Sequence, residues 1–166
     1  MGKALEYAVL IPLLVHAGEE CVLLTKRPET LSSYAGQVSL PGGAREPADR
    51  DLAATALRET HEEVGIPPSA VELLAELEWH QTSRAHRVKP FLGRVVQPCA
   101  LQPSPSEVER ILFLPRVRIR PELFEVRDTI RLPDGTEHTV QTFQLDGHEV
   151  WGLTARILYN LTRLTL

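Results

Sequence analysis

Two cysteines, one methionine and an aromatic content of 5% are the scarcities of this 166-residue chain. Cys21 and Cys99 are too few for a disulfide scaffold and lack metal-ligand spacing, so they read as buried thiols in a reducing compartment. Basic charge is not in excess either. Eighteen Lys and Arg stand against 22 Asp and Glu, a formal net charge of −4. That balance argues against a nucleic-acid partner while leaving room for a local basic pocket. No apolar run approaches the roughly 20 residues of a membrane span; the run at residues 8–15 is short and contains Pro12. Glu6 precedes it and no small-residue cleavage site follows, which argues against a secretory signal. Met1-Gly2 lacks the downstream Ser or Thr of myristoylation, and the Leu-Thr-Leu ending is no peroxisomal address. His61, His80 and His86 come with no H-E-x-x-H or Cys-rich pattern, so structural zinc is a poor reading. A soluble, cytoplasmic protein with no membrane partner is the expectation.

What is present suits one folded domain over residues 1–166: 43% hydrophobic, 24% charged, and length enough for a core. Residues 7–16 are apolar on both alternating sets, as in a strand covered on both faces, although Pro12 removes a ladder donor. A turn at 17–20 and a strand at 21–25 complete a hairpin. Residues 26–36 are polar and irregular, which predicts an exposed loop, and 37–40 a short strand leading into Pro41-Gly42-Gly43. Those glycines predict positive φ or close backbone approach to a ligand. Further strands are expected at 71–80 and 90–96, and a hairpin joins 124–132 to 136–145 through Pro133-Asp134-Gly135. Residues 98–106 are a proline-rich connector, and 107–114 mix charged and apolar residues. A last amphipathic helix over 151–164 puts Leu153, Ile157, Leu161 and Leu164 in the core.

The chemistry concentrates between residues 40 and 66. A helix is expected to start near Asp49 as its cap, with Leu52, Ala53, Ala56, Leu57, Thr60 and Val64 facing inward. Gly65 ends it and Pro67-Pro68 prevent continuation. Glu59, Glu62 and Glu63 stand at i, i+3 and i+4, on one face and in the half where the helix dipole disfavours negative charge. Three carboxylates crowded there repel one another unless a cation neutralises them, and a hard divalent ion with oxygen ligands fits. Arg58, one residue before Glu59 and four before Glu62, is placed to orient a carboxylate through its fork of donors. Residues 81–89 carry Arg84, Arg87 and Lys89, a plausible seat for phosphate or a solvated loop.

The segment Arg58-Glu-Thr-His-Glu-Glu-Val-Gly-Ile66 resembles the second half of the Nudix box, G-x5-E-x7-R-E-U-x-E-E-x-G-U with U apolar. The box spans residues 43–66, with Thr60 at an apolar position. The first half departs: Asp49 stands where the box has glutamate, and eight residues rather than seven precede Arg58. Upstream, Leu23-Leu24-Thr25, Arg27, Gly36 and Leu40-Pro41-Gly42-Gly43 resemble the signature of the coenzyme A pyrophosphatase subfamily. Val150-Trp151-Gly152-Leu153-Thr154-Ala155 resembles its C-terminal stretch. Ser32 replaces an arginine frequent in that signature, and residues 83–90 lack a Gly-aromatic pair expected there.

The resemblance implies an α/β Nudix fold, an α/β/α sandwich with a mixed β-sheet. It implies a metal-dependent pyrophosphohydrolase with Mg2+ or Mn2+, cleaving coenzyme A to 3′,5′-ADP and 4′-phosphopantetheine. Another nucleoside diphosphate derivative (ADP-ribose, an ADP-sugar, a dinucleotide) and a non-catalytic nucleotide sensor are the alternatives. Glu59, Glu62, Glu63 and the Gly43 carbonyl are the implied metal ligands, and Glu62, Glu63 and Arg58 the catalytic set. Lys26, Arg27, Gly36, Arg84 and Lys89 are the candidates for substrate, a small-molecule nucleotide, and the chain is expected to be a monomer or homodimer.

Overall fold

The computed structural model describes residues 4–164. The expectations drawn from Met1-Gly2 and from the chain's last two residues lie outside the described residues. β1 (Glu6–His16) is the middle of the main sheet. Ala17 and Gly18, at φ 49° and 81°, form a two-residue turn whose handedness suits strand twist. β2 (Glu19–Lys26) then returns antiparallel with Leu13 opposite Val22. β3 (Val38–Ser39) pairs with the end of β2 at Thr25 and Lys26, and β4 (Gly42–Ala44) pairs with β1 from Tyr7 to Val9. After α1 (Leu52–Val64) come β5 (Val71–Glu76), β6 (His80–Gln81) and β7 (Arg87–Val95). β7 runs parallel to β1, and β8 (Arg110–Pro115) pairs antiparallel with β2. The main path of the sheet is β3-β2-β1-β7-β5. β9 (Glu125–Arg131), β10 (Glu137–Leu145) and β11 (His148–Trp151) make a second, antiparallel sheet that feeds α2 (Leu153–Leu161).

Pro12 is tolerated because of where β1 changes partner. Its edge pairs with β4 through Val9, takes one bond from Leu10 N–H to Pro41 O, and pairs with β2 only from Leu13. The missing donor falls in that gap. Alternation along β1 then sets the layers. Ala8 and Leu10 pack with Ala56 and the α1 side chains Leu52, Ala53 and Leu57. Ile11 and Leu13, with Val22 and Leu24, pack instead on Ala155, Ile157, Leu158 and Leu161 of α2. A mixed sheet between two helices is the α/β/α sandwich expected.

Several boundaries move. The strand expected over 71–80 breaks into β5 and β6, and Arg87, Val88 and Lys89, expected in a basic loop, open β7. Residues 107–114 contain β8, which the mixed sequence hid because only one face of it is buried. Lys26 closes β2 and is buried rather than opening an exposed loop. The last helix begins at Leu153, since Trp151 ends a strand and Gly152 has φ 69°. Leu164 lies past the helix and is exposed, not core. No described helix is long and apolar enough to cross a membrane.

Candidate active site

Asp51, not Asp49, caps α1: its backbone is extended and its carboxylate accepts from the Ala54 N–H at 2.8 Å. Asp49 is drawn inside instead. Arg58 Nε and Nη2 donate to its two oxygens at 2.9 and 3.0 Å, and Thr55 Oγ1 and the Glu46 N–H each add a bond of 2.9 Å. The Arg58 fork, aided by the other two donors, holds this carboxyl well below the usual carboxylate range. The position where the sequence departs from the box pattern thus still carries the arginine's anionic partner. Thr60, at an apolar position, is fully buried because its Oγ1 donates to Ala56 O at 2.7 Å.

Braced by Asp49, Arg58 reaches the glutamate face of α1. Its Nη2 also donates to Ala44 O of β4 at 3.1 Å, and Nη1 donates to Glu59 at 3.1 Å and Glu62 at 3.2 Å. One guanidinium therefore joins the loop before α1, β4 and two helix carboxylates. Their surroundings differ: the Glu59 side chain is 14% exposed and that of Glu62 52%. Glu63 is partly buried and accepts from the Gly42 N–H at 3.3 Å. Burial raises the Glu59 carboxyl against the pull of Arg58. Burial pushes Glu63 up to about 8, with Glu59 and Glu107 adding and the Gly42 N–H and Arg27 opposing. Glu107 is a carboxylate that reading the sequence did not connect to this site. The connector before it also supplies the Gln102 and Ser104 N–H groups, which cap the Val64 and Glu63 carbonyls at the end of α1.

Gly42 and Gly43 have no positive φ, so that expectation is corrected. Close approach is the reason for both. A Cβ on Gly42 would strike the Ala8 carbonyl oxygen and Val9, and one on Gly43 would strike the Glu59 carboxylate. Opposite outcomes are expected from the two alanine variants. Gly42→Ala meets backbone and should unfold readily. Gly43→Ala meets the end of a flexible side chain, so its melting temperature should stay near wild type while turnover falls about 10²-fold, because Glu59 is displaced. Melting curves and steady-state turnover on the two proteins check this.

A divalent cation suits the donor set found here. Glu59 and Glu63 stand four residues apart on one face of α1, both partly buried, and burial pushes both carboxyls up, that of Glu63 to about 8. Among the described residues, no group of three or more His, Cys, Asp or Glu side chains is placed to hold a metal ion, so Glu59, Glu62 and Glu63 are not gathered into one three-carboxylate site. Mg2+ binds through one or two carboxylates, with water and substrate phosphate completing its shell.

Beside Gly42 and Gly43 opens a cavity of about 520 Å³. Arg27 and Arg84 of the expected substrate residues line it, as does Arg156, which the sequence did not single out. Arg84 lies 5.3 Å from the Tyr34 ring centroid. Ile130, Leu132, Val140 and Trp151, around the second sheet, make an apolar wall. Arg27 Nε and Gln81 Oε1, both at this cavity, are buried without a hydrogen-bond partner among the described residues. Lys26, Gly36 and Lys89 do not line it. Lys26 is paired with Glu29 and Glu109, Gly36 sits over the Glu29 carboxylate, and Lys89 pairs with Glu76 at 2.9 Å. Cys21, in β2, is buried, and Cys99 only partly so.

A family model described as NUDIX domain matches residues 4–142. Over 157 residues the chain is 36% identical to an uncharacterized Nudix hydrolase NudL of Photorhabdus laumondii, covering 94% of this chain and 82% of that one. It is 39% identical over 151 residues to Nudix hydrolase 22, chloroplastic, of Arabidopsis thaliana, covering 85% and 48% respectively. Among solved structures, an Ap4A hydrolase of C. elegans superposes with a TM-score of 0.55 at 22% identity, covering 68% of this chain and 80% of that one. The NUDIX domain of Shewanella oneidensis NrtR, complexed with ADP ribose, gives 0.53 at 20% identity, covering 72% and 77%. At those identities the likeness is one of fold.

Proposed function

The chain belongs to the Nudix hydrolase family, a pyrophosphohydrolase of nucleoside diphosphate derivatives, and on that premise we propose that its substrate is coenzyme A. One water is consumed: its oxygen joins one phosphorus as the bridging P–O bond breaks, giving 3′,5′-ADP and 4′-phosphopantetheine. The observation that carries this reading is the position of Arg27. It comes from the upstream segment that resembles the coenzyme A signature, lines the cavity beside Gly42 and Gly43, and acts electrostatically on Glu63. The same cavity offers the apolar wall that a pantetheine arm needs.

Bound Mg2+ or Mn2+ supplies neutralisation of the diphosphate and activation of water. Glu59 and Glu63 would hold that ion by their carboxylates, with the Gly43 carbonyl as a further oxygen donor. Arg58 keeps Glu59 in place while its own position is fixed by Asp49. Glu62, exposed and bound only to Arg58, is available for a second ion. Arg27, whose side chain lines the cavity, meets the diphosphate.

Incubation of the purified protein with Mg2+ and coenzyme A, ADP-ribose or diadenosine polyphosphates, with chromatography of products, tests the reading. Release of 3′,5′-ADP from coenzyme A at the highest kcat/KM is expected. Preferential cleavage of ADP-ribose or of the dinucleotide overturns it, and turnover of none of them favours a sensor.

A further inference from the structure

Arg156 is a buried cation with no anion. Its residue is 9% exposed, and no carboxylate pairs with it among the described residues. Its hydrogen bonds go to neutral acceptors: Nε donates to His80 Nδ1 at 3.2 Å, and Nη2 to Gln81 O at 2.7 Å. His80 is itself buried and must be the neutral imidazole for Nδ1 to accept, in keeping with burial pushing it down to about 4. Nη1 has no hydrogen-bond partner among the described residues and is not among the sealed unpartnered atoms, while the side chain lines the cavity. A guanidinium desolvated this far destabilises the fold unless something answers its charge. Among the described residues the other buried cation, Lys26, shows the contrast, for it has Glu109 and Glu29, and the partly buried Arg58 has Asp49.

The position of Arg156 says what kind of anion. It comes from α2 and rests on β6, whereas Arg27, just past the end of β2, is the arginine whose charge reaches Glu63. The diphosphate must lie at the glutamates, so the anion at Arg156 is a second one on the same ligand. A phosphomonoester, dianionic at neutral pH and rich in acceptors, matches a fixed guanidinium held from behind by two acceptors.

We propose that Arg156, braced by His80 and the Gln81 carbonyl, binds a phosphomonoester of the substrate that is separate from the diphosphate being cleaved. Within the coenzyme A reading, on which this rests, the group is the 3′-phosphate of the ADP portion. A ligand without that phosphate leaves Arg156 buried and unanswered, so the site selects against it.

Two measurements test it. First, binding needs no turnover: wild type should bind 3′,5′-ADP about 10- to 100-fold more tightly than 5′-AMP, and Arg156→Gln should bind both alike, with Arg156→Lys between. Equal binding of the two nucleotides by wild type, or an undiminished preference in Arg156→Gln, overturns the proposal whether or not coenzyme A is cleaved. Second, kcat/KM for coenzyme A should fall about 10- to 100-fold in Arg156→Gln while that for dephospho-coenzyme A changes little. A parallel fall for both means that Arg156 only ties α2 to β6, and overturns the proposal while leaving the coenzyme A reading standing. Should Arg156→Gln fail to fold, the wild-type preference for 3′,5′-ADP over 5′-AMP still decides. Absence of coenzyme A cleavage alongside that preference overturns the coenzyme A reading and supports the phosphomonoester site.

Discussion

Glu63→Gln is expected to lower turnover by about 10²- to 10⁴-fold while leaving the metal-free protein at least as stable as wild type. The two effects come from one cause. Glutamine keeps the size of the side chain and an oxygen to accept from the Gly42 N–H, so packing is conserved. What it lacks is a negative charge, which the site needs for a cation and the empty fold does not. Burial holds the Glu63 carboxyl up to about 8, against an ordinary value of 4.5. Between those values the folded protein keeps a proton that the unfolded chain releases, so wild-type stability falls as pH rises from about 4.5 to about 8. The amide does not titrate. Melting curves recorded in a chelator should therefore diverge as pH rises, with the variant above wild type at pH 8 and the two close at pH 5. Added Mg2+ should raise the wild-type melting temperature at pH 8 and do less for the variant. Unchanged turnover defeats the placement of Glu63 at the metal. Parallel melting curves defeat the claim that its charge is buried against the fold.

The helix with its three glutamates was legible because everything that defines it is local: spacing, a stop at Gly65, and like charges four residues apart. The hairpin about Pro133-Asp134-Gly135 was legible for the same reason. Residues whose meaning depends on distant neighbours were not. Lys26 reads as a free cation until Glu109, 83 residues away, neutralises it. Lys89 reads as part of a basic loop until it proves to be in β7 and ion-paired with Glu76. Arg156 gives no signal at all in sequence, lying in a helix whose other buried residues are apolar apart from Thr154. Its importance arises from what is missing around it, and only the fold reveals that. Gly42 and Gly43 were marked correctly as places of close approach. The thing approached is the protein's own Ala8, Val9 and Glu59, where the sequence reading had a ligand in view.

The two aspartates before α1 lie two residues apart and should behave as different kinds of residue when altered. Asp49→Asn keeps the shape and removes the charge that Arg58 Nε and Nη2 grip at 2.9 and 3.0 Å. The loss should lie between that of one charge-assisted hydrogen bond and that of a broken buried ion pair, about 2–4 kcal/mol. Turnover should fall too, by about 10²-fold, because Arg58 freed from Asp49 no longer holds Glu59 and Ala44 O in register. Acid sharpens the comparison. The Asp49 carboxyl is held below its ordinary value, so its contribution is complete above about pH 4 and is lost as pH falls through the lower folded value. Wild type and Asp49→Asn should therefore converge in stability as the solution is acidified. Asp51→Ala removes only the bond to the Ala54 N–H, which should destabilise by about 1 kcal/mol and leave turnover near wild type. Urea titrations at pH 7 and pH 3, with turnover at pH 7, measure all three. If Asp51→Ala were the variant that lost turnover, or if the two substitutions cost the same at pH 7, Asp49 would be an ordinary helix cap and Arg58 would owe its position to something else.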